Sequence, residues 1–155
     1  MNDHRRDPTG HPDLPKFTDE PLTLLELLAG ADEPTCTPYP PTNQEAGSID
    51  KRCILRDQIW VDVRGHVHPL EDLTPAYRAN VINYLRRTTP NWVVEAGAWL
   101  YLDEVAGRID SAESARRHLL LRTAPPDWLE ASPLLRRLRA LVGDSNTQPL
   151  GAGGY

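Results

Sequence analysis

The pattern of apolar and polar positions predicts a β-hairpin over residues 58–68. Residues 58–63 alternate between apolar and other side chains, which is typical of a half-buried strand. Arg64-Gly65 suits a tight turn, and residues 66–68 return as a second strand before Pro69 ends the pairing. The alternation gives the first strand one face for the core and turns Trp60 and Asp62 to the opposite face. The predicted core face consists of Ile59, Val61 and Val63.

Apolar periodicity and capping residues predict five helices. The first, over residues 18–29, has capping-box spacing at Thr23 and Glu26, and Gly30 is placed to end it. The second follows Thr74, an N-cap residue with a proline at the next position. Three more helices are predicted over residues 92–106, 110–122 and 132–143. The residues expected to begin or end these three are Asn91, Gly107, Asp110, Ser132 and Gly143.

One hydrophobic core should join the hairpin to the helix that follows Thr74. Two strands alone are marginal in water, so the hairpin needs another element beneath it, and this helix has a broad apolar face. The prediction is a mainly α fold (α+β), a small helical domain with one β-hairpin. The residues expected in the shared core are Ile59, Val61, Val63, Tyr77, Val81, Ile82 and Leu85.

Proline content and charge divide the chain into regions. Residues 1–50 hold ten acidic and three basic residues, a net charge of −7, whereas residues 51–155 hold twelve and fourteen, a net charge of +2. Eight of the fifteen prolines fall in the first 41 residues. We therefore expect a disordered acidic arm over residues 1–17 and a short helix plus proline-rich linker over residues 18–50. The hairpin and helical domain should span residues 51–143, and residues 144–155 should form a disordered tail.

Length and composition fit one globular domain with a modest core. The chain has 155 residues, of which 39% are hydrophobic and 25% charged. It contains no apolar run long enough to cross a bilayer, and its first residues lack the apolar segment of a secretory signal. These features predict a cytoplasmic protein with no membrane partner. The near-neutral body also lacks the strong positive field that non-specific nucleic-acid binding requires.

Two stretches resemble a set of small proteins encoded by phages and prophages of actinobacteria. The first runs from Trp60 through the glycine turn to the capped helix with its Asn80-Val81-Ile82 core. The second is Trp128-Leu129, followed by Ser132-Pro133-Leu134. Proteins of this set have no established activity. The resemblance therefore implies a small phage or prophage protein and leaves its chemistry open.

Two cysteines and two histidines suggest a zinc site, but their spacing argues against it. Cys36, Cys53, His66 and His68 are the residue types of a four-ligand site, and the histidines share one strand face. Paired ligands are typically about two to four residues apart, whereas a proline-rich loop separates these cysteines. We expect no structural metal and no cofactor, with the histidines on the solvated face of an edge strand.

Three carboxylates near these histidines raise the alternative of hydrolytic acid–base chemistry. Asp62, Glu71 and Asp72 have the required groups. However, Glu71 and Asp72 immediately precede the Thr74 cap, where carboxylates interact favourably with the helix dipole. The sequence also contains no phosphate-binding loop and no nucleophile elbow. We expect a non-enzymatic protein and assign no catalytic residue, while hydrolytic chemistry stays open as the alternative.

Two groups of arginines give a second functional hypothesis, nucleic-acid binding. They lie on the helices predicted over residues 110–122 and 132–143, where solvated helix faces are the simpler explanation. No recognition-helix signature accompanies them. The residues that would contact phosphate under this alternative are Arg116, Arg117, Arg136, Arg137 and Arg139.

The helix predicted from residue 92 favours a protein partner. Its only charged residues are Glu95, Asp103 and Glu104, and a helix that is apolar all round is either wrapped by its own fold or buried against a partner. Two sets of its residues lie nearly opposite on a helical wheel, so both cannot pack on the helix after Thr74. We expect the chain to bind a host factor or a second copy through this helix or through the acidic arm, while coverage of the second set by the C-terminal helices stays open as the alternative. The expected anchors are Trp92, Trp99 and Tyr101.

Overall fold

The computed structural model describes residues 22–30, 38–41 and 47–146, with side chains up to residue 144. The predicted fold class is confirmed, because the molecule is mainly helical with one two-stranded antiparallel hairpin. Within the described ranges, no helix has the length and apolar character needed to span a membrane. The elements are α1 (Leu24–Ala29), β1 (Ile59–Val61), β2 (Val67–Pro69), α2 (Pro75–Thr88), α3 (Trp92–Val105), α4 (Ser111–Arg122) and α5 (Pro133–Asn146), with 3-10 turns at Lys51–Leu55, Leu70–Asp72 and Thr89–Asn91.

Local capping residues set most of the helix starts, as predicted. The side-chain oxygens of Thr23, Thr74, Asp110 and Ser132 each accept a hydrogen bond from a backbone N–H three residues on, at 2.8–3.4 Å. Asn91 occupies the N-cap position of α3, which begins at Trp92 as predicted. This residue belongs to the 3-10 turn that continues from α2, however, and its side chain does not make the predicted capping hydrogen bond.

Two of the glycines predicted to end helices do so, and the third does not. Gly30 and Gly107 adopt left-handed conformations, with φ of 69° and 73°, after α1 and α3. Gly143 does not end α5, which continues to Asn146. Three residues assigned to the tail, 144–146, are therefore helical, while residues 147–155 and the predicted arm over 1–17 lie outside the described residues. The first predicted helix is shorter than expected within the described residues, because it begins at Leu24.

The hairpin is pinned by a short hydrogen-bonded turn. The backbone N–H of Gly65 donates to the carbonyl oxygen of Asp62 at 2.9 Å, and the backbone N–H of Asp62 donates to the carbonyl oxygen of His66 at 3.0 Å. Gly65 has a φ of 83°, a conformation that costs a glycine little. Val63 therefore lies in the turn and not on the strand, and it is 36% exposed. Its predicted place in the core is wrong.

The first strand is buried on both faces. Trp60 and Val61 are both buried, although their side chains point to opposite sides of the strand. Trp60 belongs to the main core, where the sequence had placed it on the polar face. Of the other residues predicted for the shared core, three are buried and two partly buried. The buried ones are Val81, Ile82 and Leu85, and the partly buried ones are Ile59 and Tyr77.

Two helix pairs form the body of the protein. Helix α2 packs on α5, and α3 packs on α4. The 3-10 turn at Lys51–Leu55 packs on α1 and α5, and it buries Cys53 and Ile54 in the centre of the core. Helix α1 also packs on α3 and α4 and contributes Leu28 and Ala29 to the same core. The core thus includes a helix that lies before residue 51.

Candidate protein-binding surface

Helix α3 presents an apolar surface to solvent. We define the α3 face as the exposed side of this helix formed by five residues: Val94, Ala98, Tyr101, Leu102 and Val105. Four of them have exposed fractions between 48% and 73%. Soluble monomers rarely expose contiguous apolar patches larger than a few hundred Å², and larger ones mark interaction sites. The α3 face is the strongest candidate for a binding surface within the described residues.

The spacing along the α3 face is that of a helix-pairing seam. Val94, Ala98, Tyr101 and Val105 follow one another at intervals of four, three and four residues. Alternating intervals of four and three residues place them in one row along the helix, as at the a and d positions of a coiled coil. Leu102 lies beside the row. The sequence already grouped these four residues on one side, but it did not single out the spacing or Leu102.

The opposite side of α3 forms the intramolecular contacts. Trp92 is 5% exposed, and its ring centroid lies 6.2 Å from that of Trp128. Lys51 places its Nζ atom 5.3 Å from the Trp92 ring and forms an ion pair of 2.7 Å with Glu95. Leu100 is likewise buried. Trp92, predicted as a partner anchor, is thus a core residue in this chain.

The other two predicted anchors are exposed but do not lie together. Trp99 and Tyr101 are 64% and 62% exposed. Because they are two positions apart on an α-helix, their side chains are rotated by about 200° around the helix axis and point to different sides. Tyr101 belongs to the α3 face, whereas Trp99 lines an open groove between α1 and α3 together with Gly30 and Arg108.

The carboxylates of α3 already have partners within the chain. Besides the Glu95 pair, Asp103 accepts from Arg108 at 2.7 Å, and Glu104 accepts from the buried hydroxyl of Ser114 at 2.7 Å. These contacts join α3 to neighbouring segments and offset its acidic charge. A partner approaching the α3 face therefore meets apolar side chains, while Glu95 and Asp103 are each paired with a cation of the same chain.

Most of the arginines proposed for nucleic-acid contact pair with carboxylates. Arg116 and Arg117 both donate to Glu113, at 2.6 and 2.9 Å, and their hydrogen bonds lower the pKa of that carboxyl to about 2. On α5, Arg137 pairs with Glu71 at 2.9 Å, and Arg139 pairs with Glu130 at 3.2 Å. Arg136 is exposed.

The two arginine groups are also on different helix pairs. Helix α4 packs on α3, whereas α5 packs on α2 and the 3-10 turn at Lys51–Leu55. Their positive charge is therefore divided between two parts of the molecule and largely compensated, which weakens any field available to a phosphate backbone.

The histidines of the hairpin interact with one carboxylate. Asp62 lies 2.9 Å from Nε2 of His68 and 3.5 Å from Nδ1 of His66, and it also accepts from the backbone N–H groups of Arg64 and His66. Partial burial opposes its ionisation, but these hydrogen bonds outweigh that effect and lower the pKa of Asp62 to about 2. The ring of His68 also contacts Tyr77, with centroids 5.6 Å apart. This carboxylate organises the turn.

The hypothetical zinc ligands are in different environments. Cys53 is 1% exposed in the core, and burial raises the pKa of its thiol to about 12. His66 is exposed at the hairpin, and Cys36 lies outside the described residues. No group of three or more potential ligands occurs in the described part of the chain. Glu71 and Asp72, from the hydrolytic alternative, are exposed on the 3-10 turn before α2.

Comparisons with other proteins yield no relative: the chain matches no protein-family model, and no curated protein and no solved structure is significantly similar to it.

Proposed function

We propose that the protein is non-enzymatic and acts by binding another protein through the α3 face. The observation that carries this proposal is the exposure of four large apolar residues in this one helix, Val94, Tyr101, Leu102 and Val105. Tyrosine is among the residues that most often dominate interface energies, because a large side chain is buried with little loss of conformational freedom. The partner of such a seam is an apolar helix.

The biological setting is part of the same proposal. Following the resemblance of residues 60–87 and 127–135, we place the protein among small phage or prophage proteins that work in the host cytoplasm. The partner is then a host protein or a further copy of the chain. The nucleic-acid alternative has less support, because its arginines are divided between α4 and α5 and four of the five pair with carboxylates.

Photo-crosslinking tests whether the α3 face is bound in its natural setting. A photoreactive phenylalanine analogue replaces Tyr101, and the full chain is irradiated in extract of the cells that naturally make it. We expect one covalent adduct of defined mass, which Val94→Asp in the same chain should reduce strongly. The matched control carries the analogue at Val67, an exposed apolar position on β2. Equal labelling from both positions, or no adduct from Tyr101, would contradict the proposal.

A further inference from the structure

We propose that the α3 face binds the α3 face of a second copy of this chain, with the two helices antiparallel about a two-fold axis. This proposal rests on the proposed function and names the partner. A two-fold interface uses the same patch on both subunits, so the patch must be complementary to itself. The row of Val94, Ala98, Tyr101 and Val105 meets this condition in one orientation.

Side-chain size selects the antiparallel orientation. With the axis passing between Ala98 and Tyr101, the small Ala98 of one copy faces the large Tyr101 of the other, and Val94 faces Val105. Large and small residues then alternate across the seam, as dense packing requires. In a parallel pair, Tyr101 would meet its own counterpart and Ala98 would meet Ala98, so the helices would be held apart at one level and leave a gap at the next.

Internal ion pairs reduce the charge repulsion that opposes this association. Two copies of α3 bring together the carboxylates of Glu95, Asp103 and Glu104, and like charges across an interface are costly. In this chain Glu95 is paired with Lys51 and Asp103 with Arg108, while Glu104 accepts from a hydroxyl. The internal pairs reduce the repulsion that would otherwise separate two acidic helices.

The segments outside the described residues contain few apolar side chains that could cover the α3 face. Residues 1–21, 31–37, 42–46 and 147–155 hold five large apolar residues in all, and proline or glycine interrupts the two terminal segments. Neither segment repeats the four-three-four spacing of the seam. The interface available to two copies is short, because a helix of 14 residues is about 21 Å long. We therefore expect a reversible dimer near the small end of specific interfaces.

Sedimentation equilibrium of the purified full chain over a wide concentration range tests the association. We expect a monomer–dimer equilibrium in which Tyr101→Asp weakens dimerisation by about thirtyfold or more. The control is Val67→Asp, which places the same charge at an exposed apolar position on the hairpin and should leave the dimer intact. Circular dichroism and thermal unfolding establish that both variants are folded. A wild-type chain that stays monomeric, or equal weakening by both variants, would overturn the proposal.

Disulfide trapping tests the orientation. In a Cys36→Ser background, Val94→Cys and Val105→Cys variants are mixed and oxidised; Cys53 is buried and stays unreactive. Antiparallel pairing predicts a disulfide between the two variants in the mixture and none in either alone. Two copies of residue 94 would lie about 16 Å apart along the axis, too far for a disulfide. Crosslinking of each variant with itself would instead show a parallel pair and overturn the antiparallel assignment.

The two proposals can fail separately. If the purified chain is monomeric but the photoreactive group at residue 101 labels a different protein in extract, the second-copy inference is wrong and the proposed function stands. If neither experiment detects contact at the α3 face, both are wrong. An adduct of twice the chain mass, formed by the purified protein alone, supports both.

Discussion

The Nε atom of Arg78 donates a hydrogen bond of 3.1 Å to the carbonyl oxygen of Leu70, the residue that follows the hairpin. The same guanidinium donates to the carbonyl of Glu71 at 2.8 Å and to that of Leu141 on α5 at 3.5 Å. Arg78 is only 7% exposed. One buried cation on α2 therefore ties the end of the hairpin and the last helix to the centre of the domain. The planar guanidinium suits this role because it holds several donors in a fixed geometry.

We expect Arg78→Met to lower the free energy of unfolding by about 1.5–3 kcal/mol, the range for hydrogen bonds to charged groups. Methionine keeps an apolar stem but leaves buried carbonyl oxygens without their donor. Chemical denaturation measures the change. Arg87→Met is the matched control, since this arginine is exposed on the same helix. Equal stability of the two variants would show that the carbonyls find other donors.

The core around α2 and the hairpin turn give a paired prediction. Val81 is buried, so Val81→Ala should lower the free energy of unfolding by about 1–3 kcal/mol through lost burial and the cavity that remains. Val63→Ala should cost less than about 0.5 kcal/mol, because Val63 lies in the turn and is partly exposed. Denaturant midpoints of both variants check this. A loss of stability in Val63→Ala clearly above about 0.5 kcal/mol would instead support the buried strand position that the alternation predicts for Val63.

Sequence reasoning succeeds here where structure is local and is wrong where tertiary packing decides. The caps at Thr23, Thr74 and Asp110 are readable because each side chain bonds to a backbone group within one turn. The alternation predicts the wrong environment for Trp60. The strand has only three residues and is covered on both sides, so it has no polar face that would distinguish a buried side from an exposed one.

The same limit applies to the candidate surface. The sequence shows that α3 has two opposing apolar sides, but composition cannot decide which side its own fold covers. That choice depends on where α1 and α4 dock, a tertiary contact formed by residues distant in sequence. Aromatic character therefore groups Trp92 with Tyr101, although packing buries the first and exposes the second.

Acid should weaken the hairpin through Asp62. Its pKa is lowered to about 2 in the folded state, below the value of about 3.9 for an unperturbed aspartate. The stabilisation is complete above about pH 5 and is lost as the pH falls toward about 2, because the unfolded chain takes up the proton first. We expect Asp62→Asn to reduce the loss of stability on acidification by on the order of 1 kcal/mol. Unfolding at several pH values tests this, with the exposed Asp57→Asn as control. An unchanged pH profile in Asp62→Asn would contradict it.

Removal of metal should leave the fold intact. Cys53 is buried in the core, and the His66 and His68 rings face Asp62, so these residues already have structural roles without an ion. We expect a chelator to leave the melting temperature unchanged and elemental analysis to find no stoichiometric zinc. A fall in melting temperature on chelation that added zinc reverses would instead establish a structural metal.

The nucleic-acid alternative predicts a response to the carboxylate that holds two arginines. Glu113 pairs with both Arg116 and Arg117, so we expect the wild-type chain to bind duplex DNA weakly even at low salt. Glu113→Gln should raise that affinity, because it removes one negative charge from beside two guanidinium groups. Fluorescence anisotropy at several salt concentrations measures the effect, and Glu95→Gln on α3 is the control for net charge.

A nucleic-acid role would be favoured over the α3 face if the wild type binds DNA tightly and with a steep salt dependence. A combined Arg116→Ala and Arg117→Ala change should then abolish that binding. Salt-insensitive dimerisation with weak DNA binding would favour the α3 face, because burial of apolar side chains depends little on ionic strength while phosphate contacts depend on it strongly.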